Sequence, residues 1–353
     1  MERSDRMKKC ITGALAAAVV AVPAALSGSD WMPEAKPQRI TVVSTGAMPS
    51  RGTGKTAEED VQNILKHWQE EFARMLASQP DLMVVPEVCD SPGYAYNTPE
   101  QNAYYKARGH EPEKNRVRAL FAKTAAENNC YVVYSGMQWI NGKIYNTLEL
   151  FDRKGKSVGV YLKNYITVYE DDWGRSFGTE APVWETDFGT VAPAICFDLN
   201  FTELLERYAA KRPKLILFAS AYHGGLMQGV WAYFCRSYFV GAFGRGSNDI
   251  LNPLGSNVAH STNYFPRVTA SINLDYEVVH LDENWGKLDA VKKKYGKKVT
   301  IFDPGHVGAV LLTSEMKDVS AADIVREFKI ERWDEYYKRS VDRRNMRLFP
   351  GGK

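Results

Sequence analysis

The segment VAPAICFDLNF (residues 191–201) places a cysteine and an aspartate directly after a run of apolar residues. The run has the length and composition of a strand buried in a sheet, and Asn200 with Glu203 predicts the cap of a helix that follows. A free cysteine is among the most buried residue types, so Cys196 taken alone is typical of a core. A chemical role for Cys196 therefore depends on which side chains the fold brings to the end of this strand.

Strand-like and helix-like segments alternate along the rest of the chain. Patterns typical of strands occur at 38–45, 81–87, 156–163, 214–220, 248–261 and 267–275. Two hairpins are predicted, one around Asn141-Gly142 and one that turns at Gly189. Helical periodicity follows a capping box at Thr56 and Glu59, spans 112–128 and returns near 226–240. The pattern predicts a single α+β domain in which helices cover sheets.

Three of the predicted strands end in polar residues of different chemistry. Glu87 ends one buried run, Lys163 ends a later one, and Cys196 ends the run quoted above. Taken singly, Glu87 and Lys163 could form a structural ion pair, and Cys196 could be a core residue or half of a cystine. If the strands lie side by side with their ends together, the three side chains supply a base, a cation and a nucleophile.

This set meets the needs of a cysteine nucleophile. An unperturbed thiol, with a pKa of about 8.5, is only slightly ionised at neutral pH and needs a base or a positive field. Glu87 can accept the thiol proton, while Lys163 and the backbone N–H of Phe197 can stabilise charge on a carbonyl oxygen or a nitrile nitrogen. Glu87 can then protonate the leaving nitrogen and activate water to hydrolyse the thioester. Asp198 is assigned to the turn into the next helix.

The same three segments carry a resemblance to a known family. VVPE (84–87), VYLKN (160–164) and PAICFD (193–198) resemble, in this order, the glutamate, lysine and cysteine motifs of the nitrilase, or carbon-nitrogen hydrolase, superfamily. The similarity spans residues 38–281 and includes the segments YNTLELFD, ILFASA and ILNPLGSNVAHS. The resemblance implies a four-layer αββα sandwich that assembles into a homodimer or a larger homo-oligomer.

The resemblance also implies a second glutamate, after the lysine, that helps to position substrate. Glu170 is the nearest match, one residue short of the commonest spacing, which leaves Asp171 as the alternative. Four further residues lie just beyond the catalytic strand ends and are candidates either for the substrate pocket or for buried supports: Tyr94, Trp173, Tyr222 and His223.

These features predict a thiol-dependent hydrolase that cleaves a non-peptide C–N bond of a small-molecule substrate, a linear amide or an N-carbamoyl compound. An acyltransferase that uses the same thioester and a nitrilase are the chemical alternatives. A non-catalytic binding protein is the alternative from another class. It predicts that Cys196 is structural and disulfide-bonded, with Cys89 as a partner on the same strand face as Glu87.

Composition and charge exclude several other classes. The chain has 353 residues, 44% of them hydrophobic and 25% charged, and a formal net charge of +3. These values are typical of a globular protein and do not suggest a nucleic-acid partner. MPSRGTGKT (48–56) has Pro49 where a phosphate-binding loop needs its first glycine, so nucleotide binding is not predicted. The histidines lack metal-ligand spacing and the cysteines form no Cys-x-x-Cys pair, so no metal or other cofactor is expected.

The N-terminal segment predicts export. A basic lead, MERSDRMKK, precedes the Ala-rich apolar run CITGALAAAVVAVPAAL. Residues 1–27 are therefore interpreted as a bacterial-type signal peptide that is cleaved after Ser27 and directs the chain to the periplasm or the extracellular space. Membrane association is expected only if this segment remains uncleaved as an anchor. Export would permit disulfides among the cysteines of the mature chain: Cys89, Cys130, Cys196 and Cys235.

Residues 282–353 lie beyond the family resemblance and form a C-terminal extension. They contain a strand-like run, VGAVLLTSE (307–315), and a helical pattern over 320–344 that Ser320 can cap. The basic cluster VKKKYGKK (291–298) is interpreted as a helix end or a surface loop. The extension is predicted to pack on the domain or on a neighbouring subunit.

Overall fold

Two six-stranded sheets stacked face to face form the centre of the computed structural model. The structure describes residues 39–50, 52, 54–95 and 97–349, so the predicted signal segment 1–27 lies outside the described residues. The first sheet contains, in spatial order, β12 (Arg267–Asn273), β1 (Arg39–Thr45), β2 (Leu82–Val84), β3 (Tyr131–Ile140), β4 (Lys143–Phe151) and β5 (Ser157–Leu162). The second contains β11 (Asn257–His260), β10 (Asp249–Leu251), β9 (Tyr238–Phe243), β8 (Leu215–Ser220), β7 (Gly189–Ile195) and β6 (Trp184–Thr186).

Both sheets repeat one pairing pattern. In the first sheet β1, β2 and β3 are mutually parallel and the other neighbours are antiparallel. In the second sheet β7, β8 and β9 are parallel and the other neighbours are antiparallel. Parallel strands end at the same edge of a sheet, so each sheet gathers the residues that follow three of its strands.

Helices cover the outer face of each sheet. The first sheet packs against α1 (Ala57–Leu76), α2 (Pro99–Arg108) and α3 (Arg116–Asn128), and the second packs against α5 (Thr202–Lys211) and α6 (Leu226–Cys235). The short helix α4 (Val168–Asp172) follows β5. A third apolar core lies between the two sheets, where Val42 and Leu82 meet Val191 and Leu217. The predicted four-layer αββα sandwich is confirmed.

Two local predictions in the second half of the sandwich are wrong. The helix predicted near 226–240 ends at Cys235, where Arg236 adopts the left-handed conformation (φ 54°), and the aromatic and β-branched residues that follow form β9. Apolar strand and helix segments are hard to separate by periodicity, which explains the error. Asn200 does not cap α5, because its side-chain amide donates to the Phe197 carbonyl (3.1 Å) and the Tyr222 hydroxyl (3.1 Å).

The C-terminal part forms a small third sheet with its own helices. β13 (Tyr276–His280) and β14 (Val299–Phe302) flank β15 (Ala309–Ser314), and β13 precedes the predicted boundary at 281, so this sheet crosses that boundary. α7 (Trp285–Tyr295) and α8 (Ala321–Glu327) pack on it. The basic cluster is the end of α7, as predicted, and Ser320 caps α8.

The single helix predicted over 320–344 is two helices. α8 ends at Glu327, the left-handed residue Lys329 (φ 50°) turns the chain, and α9 (Trp333–Leu348) follows. A β-bridge between Val279 and Arg332 holds the connecting segment against β13. Among residues 39–349, as far as they are described, no helix combines the length and apolarity needed to span a membrane.

Candidate active site

The carboxylate of Glu87 lies at the end of the first sheet and is almost fully buried. β2 ends at Val84, and Pro86 stops the ladder before Glu87. Oε1 of Glu87 accepts hydrogen bonds from Lys163 Nζ (2.9 Å) and Asn146 Nδ2 (2.7 Å). Oε2 accepts from the backbone N–H of Ala221 (2.9 Å), which follows β8 of the second sheet. Glu87 therefore joins the two sheets at their common end.

Lys163 follows β5 and is 1% exposed. Its ammonium group donates to Glu87 Oε1 (2.9 Å) and to Glu170 Oε2 (2.8 Å). Burial acts to lower the pKa of Lys163, but the negative charges of Glu87 and Glu170 oppose it, and the net shift is upward from the ordinary lysine value. Lys163 is thus a permanent buried cation at neutral pH.

Glu170, not Asp171, is the second carboxylate at this site. Glu170 lies on α4, where it forms a capping box with Thr167: its carboxylate accepts from the Thr167 N–H (2.8 Å) and its N–H donates to the Thr167 hydroxyl (3.2 Å). Asp171, the next residue, is exposed to solvent. Burial acts to raise the pKa of Glu170, but Lys163 opposes it and the net shift is downward, so Glu170 remains ionised.

Asn146 is a site residue that the sequence analysis missed. It lies in the middle of β4, and its Nδ2 donates both to Glu87 Oε1 (2.7 Å) and to Glu170 Oε1 (2.8 Å). The backbone carbonyl oxygen of Asn146 accepts a hydrogen bond from the backbone N–H of Lys163 (2.9 Å). The feature that could have indicated Asn146 is a polar residue inside a strand, β4, which is buried from residue 146 to its end. An uncharged donor between two carboxylates lowers their mutual repulsion without titrating.

Cys196 stands at the start of a single 3₁₀ turn, Cys196–Asn200, directly after β7. Its backbone is left-handed (φ 48°), an uncommon conformation for a non-glycine residue that turns the chain away from the strand direction. The side chain is partly buried. Burial and the adjacent Glu87 carboxylate raise the pKa of the thiol to about 12, although Lys163 acts in the opposite direction. Cys196 is therefore a protonated thiol at neutral pH.

Asp198 fixes this turn from the inside, as the sequence analysis assigned. Its buried carboxylate accepts from the N–H of Ile195 (2.9 Å), the N–H of Tyr165 (2.9 Å) and the hydroxyl of Tyr161 (2.8 Å). Tyr161 and Tyr165 flank Lys163 in sequence. Asp198 thus ties the turn that bears Cys196 to the segment that bears Lys163.

The disulfide alternative does not fit the structure. The described cysteines, Cys89, Cys130, Cys196 and Cys235, are all free thiols. Cys89 belongs to the core between the first sheet and its helices, whereas Cys196 packs against the core between the sheets. The prediction that Cys89 shares a face with Glu87 is wrong because β2 has already ended at Val84, so strand alternation no longer applies.

The other predicted site residues occupy varied positions. Phe197 is half-buried and meets Phe201 edge to face (5.1 Å). Tyr222 is half-buried, and burial, together with the nearby Cys196, raises the pKa of its hydroxyl. Trp173 follows α4 and stacks on Tyr169 (6.0 Å).

His223 and Tyr94 are engaged by other parts of the chain. Nδ1 of His223 accepts from the Gly225 N–H (3.1 Å) and Nε2 pairs with Asp249 (2.9 Å), so both ring nitrogens stabilise the loop after β8. The Tyr94 hydroxyl donates to Asp60 on α1. The structure therefore brings together Glu87, Lys163, Glu170 and Cys196, and it directs the polar groups of His223 and Tyr94 elsewhere.

The sandwich, together with a glutamate, a lysine and a cysteine at its strand ends, defines a class of protein. The sequence profile of the carbon-nitrogen hydrolase family matches residues 43–252. Because this match covers more than half of the chain, the protein belongs to the carbon-nitrogen hydrolase family. The family assignment made from the three sequence motifs is confirmed.

Curated relatives and a solved structure agree with this assignment. The chain is 24% identical to the human omega-amidase NIT2 over 239 residues, which are 63% of this chain and 84% of NIT2. It is 23% identical to a citrullinase of Francisella tularensis over 168 residues, which are 46% of this chain and 57% of the citrullinase. For three curated relatives, the citrullinase among them, the match covers only 19% to 57% of the relative's own length.

The crystal structure of Saccharomyces cerevisiae Nit3, a member of branch 10 of the nitrilase superfamily, is similar to this fold. The TM-score is 0.56 at 18% sequence identity, and the superposition covers 68% of this chain and 92% of Nit3. At this level of identity the likeness shows the shared fold alone.

The contacts of Asn146 generate a prediction about stability. Asn146→Asp places a third carboxylate beside Glu87 and Glu170, and their repulsion raises its pKa in the folded state above the value in the unfolded chain. The variant should therefore lose stability as the pH rises, with a larger deficit at about pH 8 than at about pH 5. Asn146→Leu adds no ionisable group and should lose about 2 kcal/mol at both pH values. Urea unfolding measures both, and equal pH dependence of the two variants would contradict the bridging contact.

Proposed function

We propose that the protein hydrolyses a non-peptide C–N bond of a linear amide or an N-carbamoyl compound through a thioester on Cys196. The observation that carries this proposal is the buried hydrogen bond of Glu87 to Lys163, beside the Cys196 thiol. A base, a cation and a nucleophile at one end of a rigid sandwich are the groups that such a reaction needs.

The first step is attack of sulfur on the substrate carbon. Since the raised pKa of Cys196 keeps it a thiol, Glu87 must take the proton as the C–S bond forms. The electron pair of the carbonyl bond moves to oxygen, where the ammonium of Lys163 and the backbone N–H of Phe197 stabilise the negative charge. Glu87 then passes its proton to the nitrogen, the C–N bond breaks, and ammonia or an amine leaves the acyl-enzyme.

The second step is hydrolysis of the thioester. Glu87, again a carboxylate, takes a proton from water as the water oxygen attacks the acyl carbon. The same donors stabilise the second oxyanion, the C–S bond breaks, and Glu87 returns the proton to sulfur. The carboxylic acid, or a carbamic acid from an N-carbamoyl substrate, is released and Cys196 is again a thiol.

Glu170 and Asn146 support both steps without exchanging protons. The ionised Glu170 helps to keep Lys163 cationic, so that Lys163 acts as an electrostatic donor and not as a second acid. Asn146 donates to both carboxylates and holds them apart from each other. The substrate therefore meets a cluster in which Glu87 is the group that moves protons.

The names of the relatives support the substrate class. An omega-amidase acts on an amide, and a citrullinase is named for a substrate that carries a carbamoyl group on nitrogen. An acyltransferase remains the second candidate, because its thioester would form at the same Cys196 by the same first step. It differs only in the nucleophile of the second step, an amine or a thiol in place of water.

The reactivity of Cys196 tests the site without knowledge of the substrate. With a thiol pKa of about 12, alkylation of Cys196 by iodoacetamide should still rise at the upper end of the accessible pH range. The rate should increase about tenfold per pH unit up to about pH 9, because the thiolate is the reactive form. Glu87→Gln removes a charge that raises this pKa and should shift the profile to lower pH, whereas Lys163→Ala should shift it to higher pH.

Peptide mass mapping follows Cys196 in this experiment and uses the buried thiols of Cys130 and Cys235 as internal controls. If Cys196 reacts no faster than these two, or if both substitutions leave its profile in place, the proposed nucleophile is wrong.

Turnover tests the reaction itself. Release of ammonia from at least one of glutaramate, butyramide and an N-carbamoyl amino acid should be detectable for the wild type and lost in Cys196→Ala. Glu87→Gln should reduce kcat by a factor of about 100 to 10,000, the usual contribution of a positioned base. Added hydroxylamine separates the candidates: acid as the main product supports a hydrolase, and hydroxamate in excess of acid supports the acyltransferase.

We also propose that the protein is a homo-oligomer in which α9 contacts a neighbouring subunit. From Ser340 onward every described residue of α9 is exposed, and Tyr337, Val341 and Leu348, on one side of the helix, are 62%, 37% and 56% exposed. A helix segment without tertiary contacts is marginal on its own. These three exposed apolar residues, with Arg344 on the same side, fit a contact with a second chain.

Sizing of the full-length protein tests this assembly. Val341→Glu combined with Leu348→Glu should lower the apparent mass in size-exclusion chromatography with light scattering, because charge is introduced into the contact. Met346→Glu, on the opposite side of α9, is the matched control and should leave the mass unchanged. A monomeric wild type, or equal masses for all variants, would contradict the contact.

A further inference from the structure

A buried ion pair lies directly behind the turn that carries Glu87. Asp90 and Arg108 are 1% and 0% exposed. Oδ2 of Asp90 accepts from Nη1 of Arg108 and from the hydroxyl of Tyr134, and Nη2 of Arg108 donates to the Met137 carbonyl (2.9 Å). Buried ion pairs contribute little net stability compared with an apolar replacement, because desolvation opposes the attraction. Stability alone is therefore a weak reason for this pair.

The turn between Glu87 and Asp90 has a strained backbone. Val88 is left-handed (φ 47°), a conformation that is an outlier for a β-branched residue and costs on the order of 1–3 kcal/mol. Such a residue persists only where the surrounding structure determines its conformation. Across this left-handed step, the Glu87 side chain lies in the site and the Cys89 side chain lies in the outer core.

The residues after Val88 are held from the outer layer. The Cys89 N–H donates to the Ser135 carbonyl (2.8 Å), and the Cys89 carbonyl accepts from the indole N–H of Trp68 (2.7 Å). The Asp90 carbonyl accepts from the hydroxyl of Tyr104, while its carboxylate binds Arg108 on the same helix, α2. Asp90 is thus the residue of the turn that is fixed through both its backbone and its side chain.

We propose that Asp90 and Arg108 are positioning residues that hold the left-handed turn and thereby keep the Glu87 carboxylate against Lys163 and the Ala221 N–H. This inference rests on the proposed function, because it assigns the pair to the placement of the general base. α2 then supports the site indirectly, because its last residue, Arg108, lies behind the turn and binds Asp90. Neither residue touches the reacting atoms.

The alkylation profile of Cys196 measures this placement directly. In Asp90→Asn the turn loses its charged partner, and the Glu87 carboxylate should move away from the thiol. Since the charge of Glu87 raises the pKa of Cys196, the profile should shift to lower pH, in the same direction as in Glu87→Gln. Turnover of the amide identified as substrate should show a kcat lower by about 10- to 100-fold with little change in KM. Tyr134→Phe removes one hydrogen bond to Asp90 and should give a smaller shift of the same sign.

Arg118→Met is the matched control. The pair Arg118–Glu149 joins α3 to β4 with side-chain exposures of 20% and 0%, so it is a second, partly buried ion pair between an outer helix and the first sheet. Its loss should lower the melting temperature and leave the Cys196 profile unchanged. A shift of the profile in Arg118→Met would show that general destabilisation, and not the turn, controls the readout.

Relief of strain provides an independent test. Glycine adopts the left-handed conformation without penalty. Val88→Gly in the Asp90→Asn background therefore removes the backbone strain at residue 88 that would make the turn relax. The double variant should recover at least part of the wild-type profile and of kcat, although loss of the valine side chain lowers the melting temperature further. A purely structural pair predicts the opposite, a double variant that is worse than Asp90→Asn in every measurement.

The outcomes separate this inference from the proposed function. A shifted profile in Glu87→Gln together with an unchanged profile in Asp90→Asn and Tyr134→Phe overturns the positioning role alone. An unchanged profile in Glu87→Gln, with no turnover of any amide, overturns the proposed function. Shifts in Glu87→Gln and Asp90→Asn, recovery in the double variant and no shift in Arg118→Met support the inference.

Discussion

The buried ammonium of Lys163 is the interaction on which the rest of the site depends. A lysine that is 1% exposed needs compensating charge, and Glu87 and Glu170 supply it at 2.9 and 2.8 Å. Two carboxylates around one ammonium leave an excess negative charge, which the uncharged donor Asn146 makes tolerable. These four side chains come from separate segments of the first half of the sandwich, so the ion cluster requires its strand ends to meet in register.

Burial, together with the negative charge of Glu87, keeps the Cys196 thiol protonated. In a thiolate–cation pair a positive field lowers the pKa of the cysteine; here burial and Glu87 outweigh Lys163 and raise it to about 12. The site therefore stores no reactive thiolate. In the proposed mechanism, proton transfer to Glu87 therefore accompanies formation of the C–S bond.

The part of this site that the sequence predicted is the part with a chemical signature at a strand end. Glu87, Lys163 and Cys196 each follow a buried apolar run, and the choice between Glu170 and Asp171 needed only the geometry of one helical turn. Asn146 was not predicted because it lies inside a strand. The Ala221 N–H was not predicted because a backbone donor has no signature in the sequence. The helix α2 depends on tertiary contacts, and the direction of the Cys89 side chain depends on the left-handed residue Val88. The periodicity of apolar residues indicates neither.

Left-handed, non-glycine residues occur at two of the places where the chain leaves a central strand beside the site. Cys196 itself has φ 48° after β7, and Val88 has φ 47° just after Glu87, beyond the end of β2. A strand that continued would alternate its side chains between the two faces of the sheet, and a left-handed residue ends this alternation. Strain of this kind needs a surrounding structure that leaves no alternative. A buried aspartate accepts hydrogen bonds beside each of these residues: Asp198 from the N–H groups of Ile195 and Tyr165, and Asp90 from Arg108.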